Sequence, residues 1–479
     1  MFDFWWVMAI RHKVVLYNPA AVFHTMPLGL LAIGSNLDPA RFDVRIVDAR
    51  IEADPLGAVL RAIDGALCFG VTMLTGRPLG DALAMLRAVK RARPDLTTVA
   101  GGWHPSLFPV ETLDEPSIDI TVAGQGERTF AEIMDRLAEG GDVEGIAGVA
   151  YRDGDRVVRA KARHLESLDA FAPPNFDLIP VERYFELKGR RQLDYIGSIG
   201  CNFRCAFCAD PFVYGRDWKA TSASRMGVEI EALWRRYRFT DLNFQDETYF
   251  THRHRVADIC EEFLRRGLDF TWAGTMRADQ GVRLPDEIWR LCVRSGLRRV
   301  LVGVETGSHE MMKRIKKDTT IDAILETAAK CRQHDVAVIF SFIVGFPEET
   351  EAQVEATLGL IKTLRAMSPK FETPLFYYKP YPGSALAAAV ADQTPRTLDD
   401  WARFDYVAGP AGTWVPPHLY RRIERFKFYN KYAAGPVATG QGAGRLLRRV
   451  ARWRIDHDVY AAPVEKFLVQ HLRPEPSLS

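Results

Sequence analysis

Residues 193–208 read LDYIGSIGCNFRCAFC: an apolar run that predicts a strand, followed at once by Cys201, Cys205 and Cys208 in a CxxxCxxC triplet. Three thiolates so close in sequence can converge on one soft metal centre, and thiolates favour iron–sulfur clusters, zinc or cuprous copper. A structural zinc site wants a fourth protein ligand. No further cysteine lies close by, and the nearest downstream histidines, His252 and His254, follow another expected strand. A cubane cluster held by only three cysteines keeps one iron open for a substrate or cofactor. The open cluster is the preferred reading, with zinc as the alternative.

Phe207 occupies the position before the last cysteine, so the triplet resembles the CxxxCx-aromatic-C signature of the radical SAM superfamily. The resemblance implies a 4Fe–4S cluster whose open iron binds the amino and carboxylate groups of S-adenosylmethionine. One-electron reduction of that complex would release a 5′-deoxyadenosyl radical. Such chemistry belongs to the cofactors, and the protein orients them and excludes competing reactions. No side chain is therefore singled out as catalytic.

The 479 residues leave room for two or three domains. With 47% hydrophobic and 26% charged residues the composition is that of an ordinary soluble protein, and a formal net charge of +2 gives no reason to expect nucleic acid. Seven cysteines without a regular framework argue against a secreted disulfide scaffold. Cys68, Cys260, Cys292 and Cys331 sit in apolar contexts and read as small buried hydrophobes. No apolar run reaches the roughly 18–20 residues of a membrane span. The opening MFDFWWVMAIRHK carries Asp3 and no small-residue cleavage site, so it does not read as a signal peptide. An extension upstream of a true start at Met8 accounts for it instead. A cytoplasmic, reducing location suits an oxygen-sensitive cluster.

Four regions are expected. Residues 1–140 alternate apolar runs (13–19, 42–49, 66–73, 96–102, 118–124) with helix-like segments, which predicts a doubly wound parallel sheet binding ligands at its carboxyl ends. Residues 141–190 read as a linker with a small hairpin turning at Asp153-Gly154. Residues 191–382 offer six β/α units, with strands at 193–199, 240–246, 268–274, 298–304, 336–344 and 371–379. These predict a partial barrel with its site at the strand ends. Residues 383–479 form a helical, aromatic and basic C-terminal region.

Several strand ends in the barrel carry chemistry-bearing residues. Asp246 and Glu247 in FQDETYF (244–250) resemble the superfamily's strand-end motif that holds the methionine amino group; a polar turn is the alternative. Arg277 in TMRAD (275–279) offers planar bidentate donors to the S-adenosylmethionine carboxylate, or a structural ion pair with Asp279. In VGVETGS (302–308), the resemblance gives Glu305 and Ser308 contacts to the ribose or methionine part, with Gly307 allowing a tight turn. In FIVGFPEET (342–350), Gly345 permits close backbone approach, and Phe346 and Pro347 resemble the segment near the adenine. Glu348, Glu349 and Thr350 read rather as helix N-terminal charge placement. Tyr378, Lys379 and Tyr381 line the substrate space or cover the barrel mouth.

A doubly wound domain ahead of such a barrel looks like the cobalamin-binding domain of cobalamin-dependent radical SAM enzymes. The segments that carry the likeness are 26–37, 70–76, 99–109 and 118–130, and with the barrel it spans roughly residues 13–385. Thr72, Met73 and Thr75, then Gly101 and Gly102, then Gly124, Gly126 and Glu127 form one expected rim against a flat corrin. Glycines that merely close βα turns are the alternative. No DxHxxG motif is present, so cobalt is not expected to take that histidine as a lower ligand. His104 lies in a rim loop and reads as a solvent or loop histidine rather than a cobalt ligand.

The resemblance implies methylation of an unactivated carbon, by hydrogen abstraction and methyl transfer from methylcobalamin. Corrin and barrel mouth would then face each other across the substrate. Oxidative cyclisation, as in the anaerobic magnesium-protoporphyrin ester cyclases, is the first alternative. A barrel whose N-terminal domain has lost cobalamin is the second, and a non-enzymatic cobalamin or cluster sensor the third. The expected partners are a lipid-like, tetrapyrrole or other small-molecule substrate and a one-electron reductant. In the tail, ten basic residues between Arg421 and Arg454 accompany Trp401, Trp414, Phe426, Phe428, Tyr429, Tyr432 and Trp453. The tail reads as a helical cap on the barrel, with contact to an anionic membrane surface as the alternative.

Overall fold

A computed structural model of the chain describes residues 11–381, 383–404, 415–433 and 443–472. The aromatic stretch before Arg11, and Trp414 in the tail, lie outside the described residues. The chain forms two compact units that are not consecutive halves. The first takes in residues 1–202, 209–240 and 394–405, and the second 203–208, 241–393 and 406–479.

In the first unit, strands β1 (His12–Asn18), β2 (Phe42–Asp48), β3 (Ala66–Thr72), β4 (Thr97–Gly101), β5 (Ile120–Val122), β6 (Val149–Asp153) and β7 (Arg156–Arg159) make one sheet. Their order is β2-β1-β3-β4-β5-β6-β7, with the first five parallel. The five expected strands all form; β1 and β3 are apolar on both faces, whereas the edge strand β2 (FDVRIVD) alternates. Val15, Tyr17, Phe69 and Val71 pack toward the helices Pro55–Ala62 and Arg77–Ala92, together with Val59, Leu79, Leu83 and Leu86. Their neighbours Val14, Leu16 and Cys68 pack on the opposite side with Leu30, Phe130, Ile133 and Met134 from Leu28–Ser35 and Glu127–Ala138. That is the two-sided burial a parallel sheet requires. The order reverses between β1 and β3, which makes their carboxyl ends the topological switch point where such sheets bind ligands.

The hairpin expected within the 141–190 linker forms, but β6 bonds antiparallel to β5 and so extends this sheet. Its two turn residues are Gly154-Asp155, one position later than the expected Asp153-Gly154, because Asp153 pairs with Arg156 and Gly154 takes the positive φ of 57°. The helix Leu398–Ala402 also belongs here. Trp401, Leu398, Ala402 and Phe404 join the core beside Leu79 and Leu83. The strand expected at 193–199 appears as β8 (Gln192–Tyr195) and β9 (Ser198–Gly200), since β9 turns away to pair antiparallel with β10 (Trp218–Ala220).

In the second unit, β11 (Asp241–Phe244), β12 (Thr271–Met276), β13 (Leu297–Glu305) and β14 (Ala337–Val344) run parallel. The strand expected at 371–379 is split into β15 (Phe371–Glu372) and β16 (Leu375–Tyr377), both parallel to β14. Pro374 lies in the gap, and it has no N–H for the ladder. Because all six strands are parallel, the loops at 245–250, 277–280, 306–308, 345–350 and 378–381 emerge at one edge. The crossover helices bury regular stripes: Ile288, Trp289, Leu291 and Cys292 in Asp286–Arg294, for example. A capping box of Thr350 and Gln353 starts Glu351–Met367.

The tail begins with the helix Pro417–Ala433, pinned to the strand segment at 371–377. Asn430 donates to Thr373, and the Tyr377 hydroxyl donates to Glu424 at 3.0 Å. The helices Ala443–Asp456 and Val464–Leu472 follow. No described helix is long and apolar enough to cross a membrane.

Candidate cofactor sites

The three triplet cysteines are partly exposed, whereas Cys68, Cys260, Cys292 and Cys331 are buried completely. Cys201 follows β9 of the first unit. Its predecessor Gly200 has φ +82°, and a Cβ there would lie 2.3 Å from the Asp217 carbonyl oxygen, so only glycine brings the chain out of this hairpin. Cys205 and Cys208 belong to the second unit, where the backbone between them is clamped. The Ala206 N–H donates to the Ile315 carbonyl at 2.8 Å, and the Ala206 carbonyl accepts from Leu386 N–H at 2.9 Å. Phe207 packs edge-on to Phe346, 6.0 Å between centroids, in a cluster with Met311, Ile315 and Tyr378.

Two buried cations attend this loop. The Arg277 guanidinium stacks 3.7 Å above the Phe203 ring and reaches Cys205 Sγ at 3.7 Å. It is also bonded to Asp279 at 2.9 Å and to the Lys317 carbonyl at 2.6 Å. The ion pair with Asp279 offered by the sequence is therefore one of several contacts this side chain makes. Lys317 pairs with Glu305 at 2.7 Å, both side chains only 8% exposed. Burial works against the Lys317 charge, yet Glu305 beside it and the nearby Cys205 raise its pKa overall. Glu305 holds φ +70°, an uncommon conformation for a residue with a side chain, and its carboxylate folds back over Gly303.

The remaining strand-end residues stand on the same edge. Asp246 is 1% exposed and Glu247 half-buried. The Asp246 carbonyl accepts from Thr275 Oγ1 at 2.6 Å, and Gln280 Nε2 donates to Thr248 Oγ1 at 3.0 Å, tying the loops after β11 and β12 together. Ser308 caps the helix His309–Arg314 by accepting from Met311 N–H at 3.2 Å. Gly307 is needed because a Cβ would meet the Ala356 carbonyl at 2.4 Å. Gly345 has φ +81°. Its N–H and that of Phe346 both donate to Glu349, whose carboxyl burial pushes up to about 7 in spite of these bonds. Glu349 thus folds over the β14 loop instead of facing the helix N-terminus, a role left to Thr350. Tyr378 is buried against Phe346, and Lys379 is 6% exposed. Thr275, Gln280 and Lys317 escaped the sequence reading because their partners lie in other loops.

At the carboxyl edge of the first sheet, backbone makes the rim. Met73 N–H donates to the Gly101 carbonyl at 2.8 Å and the Met73 carbonyl accepts from His104 N–H at 3.1 Å. The Met73 side chain is fully buried in the core, so its expected place on the rim is corrected to its backbone alone. Thr75, 2% exposed, is likewise turned in and bonds His104 Nδ1 at 3.0 Å. His104 is not a solvent histidine. It is 0% exposed, packed against Phe108 and Trp401, and burial lowers its pKa from 6.5 to about 4. Gly102 (φ +94°) is required, since a Cβ would press Thr72 Oγ1 at 2.7 Å; Gly101 has space for one. A Cβ on Gly124, at φ +77°, would stand 3.8 Å from the Val213 carbonyl oxygen, and one on Gly126 would stand 3.4 Å from the Ile33 side chain, both ordinary contact distances.

These groups suit the expected cofactors. Among the described residues no three His, Cys, Asp or Glu side chains stand around a single-ion position. A zinc site requires such a point. A cubane spreads its thiolates over different irons, and accessible thiols beside buried cations fit an anionic cluster. Glycine backbone along the carboxyl edge of a doubly wound sheet fits a corrin edge.

An α/β chain with a glycine-rimmed doubly wound sheet and a cysteine loop beside a parallel strand edge is an enzyme architecture with two cofactor faces. Residues 195–361 match the radical SAM superfamily and residues 14–134 the B12 binding domain. The chain belongs to the radical SAM superfamily and carries a B12-binding domain; it is a cobalamin-dependent radical SAM enzyme that uses a 4Fe–4S cluster, S-adenosylmethionine and cobalamin. It is 28% identical over 384 residues to an uncharacterized methyltransferase of Pyrococcus horikoshii, covering 79% of this chain and 81% of that protein. It is 27% identical over 399 residues to the anaerobic magnesium-protoporphyrin IX monomethyl ester cyclase of Synechocystis sp., covering 82% of this chain and 78% of that one. The fold is similar to the solved cobalamin-dependent S-adenosylmethionine radical enzyme OxsB, with a TM-score of 0.73 at 16% identity over 97% of this chain and 73% of that chain.

Proposed function

We propose that the enzyme methylates an unactivated carbon of a small molecule. The reading rests on the uncharacterized P. horikoshii methyltransferase, similar across 79% of this chain. When bound, the cofactors supply a 5′-deoxyadenosyl radical and a transferable methyl group; the chain binds, orients and shields them. Cys201, Cys205 and Cys208 hold the cluster. Arg277 and Lys317 place positive charge beside Cys205. Asp246 and Glu247 take the amino group of S-adenosylmethionine, and the Gly345–Phe346 backbone takes its adenine. Thr72, Gly101, Gly102, Gly124 and Gly126 carry the corrin through their backbone. A one-electron reductant supplies the electron that starts the reaction.

The Synechocystis relative favours a second reading, oxidative cyclisation with the same cofactors. Product mass separates the two. The test reconstitutes the cluster anaerobically and incubates the enzyme with S-adenosylmethionine, cobalamin, reductant and candidate substrates. A product heavier by one methyl group, with S-adenosylhomocysteine formed and both lost in Cys205→Ala, supports methylation. A cysteine-dependent product without added methyl sinks it in favour of cyclisation.

A further inference from the structure

The helix Ala443–Asp456 presents a two-part face that the chemistry above leaves unused. Its exposed residues are Arg445, Leu446, Arg449, Arg452, Trp453 and Asp456. At 3.6 residues per turn they fall within about a third of the helix circumference. Arg445, Arg452 and Arg449 lie along one side of this arc. Leu446 and Trp453, two turns apart, lie along the other and are 64% and 50% exposed. None of the three arginines forms a salt bridge among the described residues. Arg454, by contrast, is buried and spent on the Val459, Ala461 and Ala462 carbonyls and on Glu465. The next helix, Val464–Leu472, adds Val464, Phe467 and Leu468, at positions i, i+3 and i+4 and at least half exposed. Exposed apolar side chains gathered on one face, unlike ones scattered singly, mark a contact surface.

We infer that these two helices form an interfacial docking face for an anionic lipid bilayer. Apolar side chains enter the headgroup boundary, and the flanking guanidinium groups meet lipid phosphates. Charge decides the occupant. A second copy would bring the same unpaired arginines against one another, whereas an anionic surface neutralises them. The reading does not depend on which reaction the barrel carries out.

The test is sedimentation of the full-length protein with phosphatidylcholine vesicles, with and without an equal share of phosphatidylglycerol. The protein is expected to pellet with the anionic vesicles alone, and less at high salt. Replacing the three arginines together (Arg445→Glu, Arg449→Glu, Arg452→Glu) should weaken partitioning about a hundredfold or more. Leu446→Ser with Trp453→Ser should weaken it at least about tenfold. Asp456→Lys should strengthen it about tenfold, a gain that misfolding would not be expected to mimic. Absence of binding to anionic vesicles overturns the proposal, as does binding that ignores all these substitutions. A self-association of the wild type that Leu446→Ser and Trp453→Ser abolish, without vesicle binding, also overturns it and gives the face to a second copy.

Discussion

Single residues hold the cofactor loops by backbone shape and by buried charge. Gly200 must stay glycine for Cys201 to leave its hairpin correctly. Gly200→Ala should cost at least about 1 kcal/mol and lower the iron bound per chain after reconstitution, measured beside wild type. The Glu305–Lys317 pair makes a sharper case. Lys317→Met strands a buried carboxylate and should destabilise the second unit by about 3–5 kcal/mol, while the double change with Glu305→Leu recovers most of it. Urea unfolding of the two variants measures this. A single variant as stable as wild type would show the pair to be idle. His104 sets a pH dependence. Its folded pKa of about 4 lies below the ordinary 6.5, so between these values the unfolded chain binds a proton that the folded chain refuses. Stability is therefore full above about pH 6.5 and falls as pH drops toward 4, by about 3 kcal/mol in all. Thermal melts at pH 7 and pH 4.5 should show this loss in the wild type and a smaller one in His104→Gln. At this scale the cysteine triplet was legible because its spacing is local. Lys317 was not, because its partner lies twelve residues away and its neighbours Lys316 and Asp318 look like solvated charge. The buried directions of Met73 and Thr75 were equally hidden, since contacts to Gly101 and His104 in the next loop hold them.

Elements were legible wherever hydrophobic period and turn residues agreed. The helix Arg77–Ala92 and the five parallel strands of the first sheet came through because the inner strands are apolar runs and the edge strand β2 alternates. The departures have local causes: Pro374 splits a strand, and the 149–159 hairpin finds a free edge at β5. The small helix Leu398–Ala402 was invisible as part of the first unit, since nothing in its sequence names a partner three hundred residues earlier. Its contacts are specific. Trp401 packs on His104 and Phe108, its carbonyl accepts from Gly76 N–H at 3.1 Å, and Asp399 pairs with Arg87. Trp401→Ala empties a core position and should cost about 3–5 kcal/mol. Because the Thr72–Gly76 loop rests on it, the same variant should bind cobalamin more weakly, read from the absorbance of cobalamin retained on a desalting column. Unchanged retention would separate this helix from the rim.

For the whole molecule, composition and motif order were enough to expect two cofactor regions and a helical tail, because each rests on patterns within about two hundred residues. How the chain is apportioned between its compact units was not legible, since that depends on contacts far apart in sequence. Three separate segments build the first unit, and the last of them follows the strands of the second. A break after residue 190 should leave an N-terminal fragment lacking β8, the helix Ala223–Tyr237 and Trp401. Such a fragment is expected to expose apolar core and aggregate, which light scattering of the expressed piece would register.

That interleaving bears on descent as well as on folding. A cobalamin module written as one uninterrupted stretch could be exchanged between genes by a single recombination. Here the sheet itself is one uninterrupted stretch, but the helix that carries Trp401 is written beyond the strands of the second unit, so a crossover between them would part the sheet from a piece of its own core.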